Sequence, residues 1–354
     1  MTDLRVSVVI PTYNRGHLID RALSSAIVDI EGGDEIIVVD DGSSDATEGV
    51  VRKFADPRIR YIRQAHLGAG AARNRGTLEA RHELITYLDS DDEWLPGKTA
   101  LQRRFLEARD DVLFCFTNFA TQYGAVRSPR DMGNWHKSTL LPGQSYDRGW
   151  DQIMGAPDLY SLIAGLPPGI VDFPVYIGDL YYDEMLTNFV LTSSLMVHAP
   201  NKANFDWFST TVKTYEDWQC FGRLAKSGLA GFLDHETTIR HRHLGQQLTD
   251  ADELTCINSR ISVLNSVWGS DAEFLGKHED EYSGLLRDLM LLRLRSLLGM
   301  ARRAEALGAM EGLAEIPIKY RVLMALPSPI LKMLVMSRRC VKDRFRLSGT
   351  STTR

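Results

Sequence analysis

The chain has 354 residues and a formal net charge of −5, and 44% of its residues are hydrophobic. This balance excludes a disordered chain and predicts a sizeable core, with room for one large domain and an appendage. It also provides no overall positive field, so we expect no nucleic-acid partner.

Strand and helix signals alternate through the first third of the chain. Apolar, largely β-branched runs predict strands at residues 4–10, 35–40, 59–62, 84–88 and 112–116. Apolar residues at helical spacing, turn residues and Pro96 predict helices between these strands. Continuous apolar strands that alternate with helices predict an α/β fold, in which a mostly parallel sheet is covered by helices on both faces.

Carboxylates follow two of the predicted strands at the point where each ends. Asp40 and Asp41 end the second strand, and the segment DSDDEW places Asp89, Asp91 and Asp92 after the fourth. Ligands of such sheets bind at the carboxyl ends of strands, so we expect both groups in one crevice. The carboxylates suit a Mg²⁺ or Mn²⁺ ion whose remaining ligands are phosphate oxygens. Alternatively, DSDDEW is a solvated turn whose charges favour the next helix N-terminus.

The alternation breaks after the fifth strand. Gly, Pro, Trp and Tyr punctuate residues 118–190, which predicts an elaborated region within the domain. NFVLTSSLMV predicts a further strand, and YEDWQCFGRLAKSG predicts a helix. Because the sequence then becomes mainly helical, we predict a domain at 1–250 and a helical C-terminal region at 251–354.

Two charged segments lie outside the strand ends. AARNRG places Arg73 and Arg75 at the opening of a helix, where guanidinium groups bind phosphate or carboxylate, or lie on the surface. TYEDWQ places Glu216 and Asp217 at a helix start. Carboxylates there stabilise the helix dipole, or one of them acts as a general base on a sugar hydroxyl.

The cysteines and the first residues bear on the cellular compartment. The N-terminal sequence has no basic leader followed by an apolar core, and no run of about 18 apolar residues occurs. We therefore expect a cytoplasmic protein. Reduced thiols are the matching interpretation of four cysteines without CxxC or zinc-type spacing: Cys115, Cys220, Cys256 and Cys340.

In this order, the segments VSVVIPTYNR, VVDDGSSD, ARNRG, YLDSDDEW, TSS and YEDW resemble those of the family 2 inverting glycosyltransferases, which have the GT-A fold. The resemblance extends from residue 4 to about residue 250. It implies a metal-dependent enzyme that moves a sugar from a nucleotide-diphosphate sugar, with a UDP-sugar favoured, to a hydroxyl of a saccharide or lipid-linked acceptor. Polysaccharide or glycoconjugate biosynthesis would be its setting.

The resemblance also implies roles for single residues. Asp217 would be the general base, and Asp92 would hold Mn²⁺ or Mg²⁺ together with Asp91. DSDD permits two registers of the DxD motif, and Asp89 would support the turn in one of them. RHRHLGQQLT is similar to a downstream family element, so His243 is either a metal or diphosphate contact or a structural residue. The donor nucleotide would contact Pro11, Thr12, Tyr13, Asp40, Asp41, Arg73, Asp91 and Glu216.

The chemistry of such a site follows from its charges. A bound cation acts as a Lewis acid on the departing diphosphate, and Arg73 adds to this stabilisation. Asp217 takes the acceptor proton while the hydroxyl attacks the opposite face, so one displacement inverts the anomeric centre. The alternative is a non-catalytic nucleotide-sugar binding protein of the same fold, which would keep the binding motifs.

Acceptor-side features have two interpretations each. The C-terminal segment IPIKYRVLMALPSPILKMLVMSRRCVKDRFRL would contact the inner face of an anionic membrane, or it would pack as a helical or homo-oligomer element. Aromatic side chains of the elaborated region would stack on sugar rings or anchor a minor core: Trp135, Tyr146, Trp150 and Tyr160.

Overall fold

The computed structural model describes residues 4–167, 169–242, 251–300, 302–311, 313, 315–327 and 330. The chain divides into two compact units, Met1–Gln246 and Gln247–Arg354. The boundary predicted at residue 250 lies next to residues outside the described part and stays a prediction.

The first unit is built on one sheet. Among its described residues the strands are β1 (Val6–Thr12), β2 (Glu35–Asp40), β3 (Ile59–Arg63), β4 (Leu84–Tyr87), β5 (Glu93–Trp94), β6 (Val112–Tyr123), β7 (Val126–Ser128), β8 (Asp158–Leu159), β9 (Pro174–Gly178), β10 (Met196–His198) and β11 (Leu229–Arg242). Their order is β3-β2-β1-β4-β10-β6-β11-β9-β8, while β5 pairs with β11 and β7 with β6.

The sheet is mixed. The strands β3, β2, β1 and β4 are parallel, as their apolar runs predict, and β6 is parallel to β11. Strand β10 is antiparallel to both of its neighbours, and β9 is antiparallel to β11. The α/β prediction is confirmed, but parallel pairing dominates only where short βα units connect the strands.

Helices follow the strands of the first unit. Those described are α1 (Ile19–Asp29), α2 (Thr47–Lys53), α3 (Ala69–Glu79), α4 (Lys98–Ala108), α5 (Met132–Thr139), α6 (Trp150–Met154), α7 (Tyr160–Ile163), α8 (Tyr181–Leu186) and α9 (Glu216–Ser227). Short 3₁₀ turns occupy Thr192–Ser194 and Lys202–Asn204. The strand predicted for NFVLTSSLMV is therefore limited to β10, because its TSS segment turns instead of extending.

Alternate residues of the central strands face helices on opposite sides. Val8 and Ile10 of β1 pack in a cluster with Leu23 of α1 and Phe105 of α4. Val9 points the other way, toward Gly76 of α3. Both faces of the sheet are thus buried, as continuous apolar strands require.

A buried lysine lies behind β4. Lys98 begins α4, is fully buried and donates from Nζ to Gln102 Oε1 at 2.6 Å, while Nζ lies 4.3 Å from the centre of the Trp94 ring. Burial lowers the pKa of Lys98 to about 7. Gln102 Nε2 donates to the Ser194 carbonyl, and Trp94 Nε1 donates to the Ser193 carbonyl. This polar network fixes the TSS turn beneath the end of β4.

The second unit is helical, as its sequence predicts. Its described helices are α10 (Glu253–Val267), α11 (Ala272–Gly299), α12 (Arg303–Glu311) and α13 (Ile318–Ala325). They share a core that includes Leu294, Leu297, Tyr320 and Met324. None of the helices in the described part of the chain combines the length and the apolar character needed to cross a membrane.

The close contact between α3 and β1 gives a stability prediction. A Cβ atom at Gly76 would lie 2.3 Å from Val9 Cγ1, whereas a Cβ at Gly49 in α2 meets nothing within 4 Å. Because the β-branched Val9 is held in the sheet, we expect Gly76→Ala to lower the free energy of unfolding by about 1 to 3 kcal/mol. Gly49→Ala is the matched control and should raise it by up to about 1 kcal/mol. Urea unfolding measures both, and equal stabilities would contradict this packing.

Candidate active site

The carboxyl ends of β1 and β2 form one side of the site. Thr12 pairs with Asp40 in the parallel ladder. Asp40 is fully buried and accepts hydrogen bonds from the Ser43 amide at 2.7 Å and from the Tyr61 hydroxyl. Thr12 Oγ1 is buried and has no hydrogen-bond partner among the described residues. Such an orphaned hydroxyl at a strand end is a suitable contact for a ligand.

Asp41 organises the loop that follows β3. Its carboxylate accepts hydrogen bonds from the amides of Leu67 at 2.9 Å and Gly68 at 2.8 Å, and His66 Nδ1 lies 2.8 Å away. The His66 ring stacks on Tyr13, with ring centres 4.0 Å apart, and Tyr13 is 42% exposed. The loop and the aromatic pair therefore form an open edge beside Thr12. Nucleotide contacts of Asp41, Tyr13 and the buried Pro11 stay predictions.

Arg73 joins three parts of the site. It is buried in α3, and Nη2 donates to Asp89 Oδ1 at 2.7 Å, while Nη1 donates to Glu216 Oε1 at 2.9 Å. Its Cζ lies 5.2 Å from the centre of the Phe208 ring. Burial by itself lowers the pKa of Arg73, but the charges of Asp89 and Glu216 raise it by more than burial lowers it. The guanidinium therefore stays charged. Arg73 thus brings the DSDD turn after β4 next to the start of α9.

The DSDD turn presents its carboxylates in different environments. Asp92 is buried, and its carboxylate accepts hydrogen bonds from Ser193 Oγ at 2.6 Å and from the His241 amide at 3.2 Å. Burial raises the pKa of Asp92 well above its usual value, and the charges of Asp91 and Asp89 add to the shift. Asp91 is more exposed, and its carboxylate lies 3.8 Å from Arg15 Nη2. The turn therefore holds carboxylates whose mutual repulsion is only partly compensated.

These carboxylates fit a divalent cation. Asp92 and Asp91 are adjacent hard oxygen donors. The pKa of Asp92 is raised first by burial and then by the charges of Asp91 and Asp89, and a bound cation would offset both effects. Within the described residues, no group of three or more His, Cys, Asp or Glu side chains is arranged to hold a metal ion. Since Mg²⁺ is often held by one or two carboxylates, phosphate oxygens of a ligand would complete such a site.

Asp217 has the properties of a base. The residue before α9, Tyr215, has a φ of 64°, in the left-handed region that non-glycine residues seldom adopt. Asp217 Oδ1 accepts a hydrogen bond from the Trp218 amide at 2.8 Å, and no described residue hydrogen-bonds its other oxygen. Burial raises the pKa of Asp217 to about 7, and Glu216 adds to this shift while Arg73 opposes it. Since Asp217 is still partly exposed, a substrate hydroxyl has access to it.

A second buried carboxyl group lies near Asp217. Glu184 of α8 accepts a hydrogen bond from the Phe189 amide at 3.1 Å, and its Oε1 has no partner among the described residues. Burial raises the pKa of Glu184 well above its usual value, and the charge of Asp217 adds to the shift. Trp218 Nε1 donates to the Glu184 carbonyl at 2.7 Å, which ties α8 to α9. No local sequence signal distinguishes Glu184 from surface acidic residues.

Two further residues near Asp92 escape sequence reasoning. Ser193 links the turn, because its hydroxyl also accepts from the Asp89 amide at 3.1 Å. Arg240 of β11 stacks on Trp135, with Cζ 4.6 Å from the ring centre. Burial lowers the pKa of Arg240, and the charge of Asp92 raises it in part. The TSS and RHRH segments were signals for both, although only the fold shows which residue in each faces Asp92.

His243 lies outside the described residues, and its role stays a prediction. The neighbouring His241 Nε2 lies 2.9 Å from Glu93 Oε2. Among the aromatic residues, Tyr160 and Tyr146 are buried core anchors whose hydroxyls donate to Leu101 O and Asp183 Oδ1. Trp135 and Trp150 remain partly exposed.

Sequence comparisons give relatives of one kind. Residues 7–155 match a family model described as glycosyl transferase family 2. An uncharacterised glycosyltransferase of Rickettsia typhi is 34% identical over 280 residues, which cover 77% of this chain and 73% of that protein. The Escherichia coli UDP-Glc:alpha-D-GlcNAc-diphosphoundecaprenol beta-1,3-glucosyltransferase WfgD is 34% identical over 34% of this chain. The chain matches only 47% of the length of WfgD and 19% and 20% of two longer Rickettsia relatives.

Solved structures with a similar fold share little sequence. TarS 1–349 of Staphylococcus aureus in complex with UDP-GlcNAc has a TM-score of 0.58 at 15% identity, covering 98% of this chain and 92% of that one. The mannosyltransferase PcManGT of Pyrobaculum calidifontis in complex with GDP-Man and Mn²⁺ has a TM-score of 0.51 at 16% identity, covering 96% and 88%. The similarity at these identities concerns the fold alone, and it confirms the predicted α/β fold of GT-A type.

The raised pKa of Asp217 predicts a pH-dependent stability difference. The folded protein holds a proton on Asp217 up to about pH 7, whereas the unfolded chain releases it near pH 4, so this group destabilises the fold as the pH rises between these values. As the pH rises from 4 to 8, we expect the free energy of unfolding of Asp217→Asn to increase by about 1 to 3 kcal/mol relative to that of wild type. Urea unfolding without metal or nucleotide measures the difference.

The exposed Asp110 provides the matched control, because Asp110→Asn also removes one carboxylate. Its stability relative to wild type should change little over the same range. A flat difference for Asp217→Asn would mean that Asp217 stays ionised throughout.

Proposed function

Because the chain belongs to glycosyl transferase family 2, we propose that it is an inverting glycosyltransferase that moves a sugar from a nucleotide-diphosphate sugar to an acceptor hydroxyl. One observation carries this proposal. Arg73 joins the acidic turn at Asp89 to the start of α9, where Asp217 has a pKa of about 7 and an oxygen without a described hydrogen-bond partner. The site thus combines an acidic turn that could bind a cation with a base whose pKa is close to neutral pH.

The donor is a nucleotide-diphosphate sugar, with a UDP-sugar favoured. The buried, unpartnered Thr12 hydroxyl and the exposed face of Tyr13 supply polar and aromatic contacts at the ends of β1 and β2. The S. aureus TarS structure with UDP-GlcNAc and the name of E. coli WfgD, a UDP-Glc enzyme, support the choice of UDP. Asp40 and Asp41 then shape the nucleotide pocket through the loops they hold.

Asp92 and Asp91 are the proposed holders of Mn²⁺ or Mg²⁺. PcManGT, solved with GDP-Man and Mn²⁺, supports a metal-dependent reaction. When bound, the cation supplies charge stabilisation to the departing diphosphate as a Lewis acid. Arg240 lies beside Asp92 and adds a positive charge on the same side.

The chain's own residues direct the transfer. Asp217 accepts the proton of the acceptor hydroxyl as the C–O bond forms at the anomeric carbon. The bond from this carbon to the diphosphate breaks on the opposite side, so the configuration inverts in one displacement and no glycosyl-enzyme intermediate forms. Glu216, held by Arg73, fixes the start of α9 and hence the position of Asp217.

The acceptor is a saccharide or a lipid-linked saccharide. A series of contacts runs from Arg240, near Asp92, to Glu184, near Asp217. Arg240 stacks on Trp135, the ring of the next residue, His136, stacks on Phe189, and the Phe189 amide donates to Glu184. These contacts support the proposal that the elaborated region forms the acceptor side of the site, beside Asp217. Polysaccharide or glycoconjugate biosynthesis in the cytoplasm is the proposed setting, and self-association stays a prediction.

The alternative is a nucleotide-sugar binding protein without catalysis. It predicts the same nucleotide pocket but requires no base near neutral pH. The environment of Asp217 favours the enzyme, because a merely structural helix start gains most from an ionised carboxylate.

Nucleotide binding is the first test of the proposed function. By calorimetry with UDP, GDP and dTDP, we expect one nucleotide to bind about tenfold or more tightly with Mn²⁺ than without it. Asp92→Asn should remove this gain, because the amide keeps a hydrogen-bond acceptor for Ser193 but loses the charge that holds the cation. Asp110→Asn is the control and should bind as wild type does. Absence of nucleotide binding by the folded wild type would reject the proposal.

Loss of the base should affect transfer and spare binding. We expect Asp217→Asn to lower the rate of nucleotide release in the presence of acceptors by about 10²- to 10⁴-fold while it keeps the wild-type nucleotide affinity. Wild-type kcat/KM should rise from pH 5.5 to pH 8, because Asp217 must lose its proton. Full activity of Asp217→Asn would exclude it as the base, and binding without turnover on saccharide and lipid-linked acceptors would favour the alternative.

A further inference from the structure

Helix α13 of the second unit has two unlike faces. Tyr320 and Met324 are buried in the core of that unit. On the opposite face, Ile318 is 80% exposed and Val322 is 56% exposed. Because they are four residues apart, these two side chains lie next to each other on the helix. The helix therefore presents a short apolar stripe outward while its other side is anchored in the protein.

Basic residues border this stripe on both sides. Lys319 and Arg321 are exposed and lie about 100° and 60° from Ile318 around the helix axis, in opposite directions. Neither forms an ion pair with any described residue. Arg303, in contrast, is used within the fold, because its guanidinium donates to the carbonyls of Met324 and Leu326 at the end of α13. Lys319 Nζ lies 4.9 Å from the centre of the Tyr320 ring of the same helix, and neither Lys319 nor Arg321 is neutralised by an ion pair within the described structure.

The charge of the sequence changes sign at this helix. From Ile318 to Arg354 the chain has nine Lys or Arg residues and one acidic residue, a net charge of +8, although the whole chain has −5. The preceding residues therefore carry −13. A basic segment that begins on an exposed apolar helix face is attracted to a surface that is both negative and apolar beneath.

We propose that the outer face of α13 is a docking surface for an anionic lipid bilayer. Ile318 and Val322 enter the boundary between headgroups and acyl chains, while Lys319 and Arg321 reach lipid phosphates on either side. The anchored face keeps the helix parallel to the bilayer plane. None of its four residues belongs to the proposed nucleotide site. Membrane contact would bring the chain to a lipid-linked acceptor, a consequence that rests on the proposed function.

Vesicle co-sedimentation of the full chain tests the surface. Wild type should bind vesicles of phosphatidylcholine with about one third phosphatidylglycerol and not pure phosphatidylcholine. The double substitutions Ile318→Ser with Val322→Ser, and Lys319→Glu with Arg321→Glu, should each weaken binding by about tenfold or more. Circular dichroism and thermal midpoints check that the variants fold.

Matched controls lie elsewhere on the protein. Val28→Ser changes an aliphatic side chain that is 75% exposed in the first unit, and Lys277→Glu with Arg287→Glu makes the same charge change on α11. Both should bind the vesicles within about twofold of wild type. Binding of the α13 variants equal to that of wild type, or no binding by wild type, would overturn the proposal.

Two other measurements distinguish membrane docking from dimerisation and from the proposed function. If α13 substitutions convert a dimer to a monomer and leave vesicle binding unchanged, the stripe contacts a second copy of the chain instead. Nucleotide titrations of the same variants should match wild type. If wild type binds vesicles but no nucleotide, the docking surface is supported and the proposed function is rejected. If it binds nucleotide but no vesicles, only the docking surface is rejected.

Discussion

The buried guanidinium of Arg73 is the interaction on which the rest of the site depends. A buried charge without partners is energetically costly. A buried guanidinium that is paired with two carboxylates therefore holds both of them in place. Asp89 and Glu216 lie 127 positions apart in sequence, yet both bind this one side chain. Their shared contact sets the distance between the acidic turn and α9, and thereby between the proposed cation site and Asp217. Arg73 is therefore a positioning residue: Nη1 and Nη2 each bind a carboxylate, while Nε has no hydrogen-bond partner among the described residues.

The acidic turn has a second support behind the sheet. Lys98, Gln102 and Trp94 form a buried polar network that holds the carbonyls of the TSS turn. The Ser193 hydroxyl of this turn orients Asp92 by donating a hydrogen bond to its carboxylate. Buried polar groups of this kind require complete hydrogen bonding, so they tolerate only one arrangement of the turn. Rigid placement suits the proposed role of Asp92 as a holder of a divalent cation.

The sequence predicted best what local patterns determine. Strands β1 to β4 and helix α9 follow from apolar runs and turn residues, and the carboxylates at strand ends follow from the general position of ligand sites in such sheets. Strand β10 was predicted too long, because the TSS turn is held by contacts to residues 94 and 102 that no local pattern encodes. Glu184 and Arg240 were missed for the same reason. Their importance comes from neighbours that only the folded chain supplies, namely Asp217 and Asp92.

Strand β10 has a consequence for how the sheet forms during synthesis. It lies between β4 and β6, although its first residue, Met196, is the 73rd residue that the ribosome makes after the end of β6. At usual elongation speeds this delay is roughly 4 to 15 s, during which β4 and β6 each have an unpaired edge. Exposed strand edges invite association with other nascent chains, so this interval is when a chaperone that shields β-edges would be most useful to this protein.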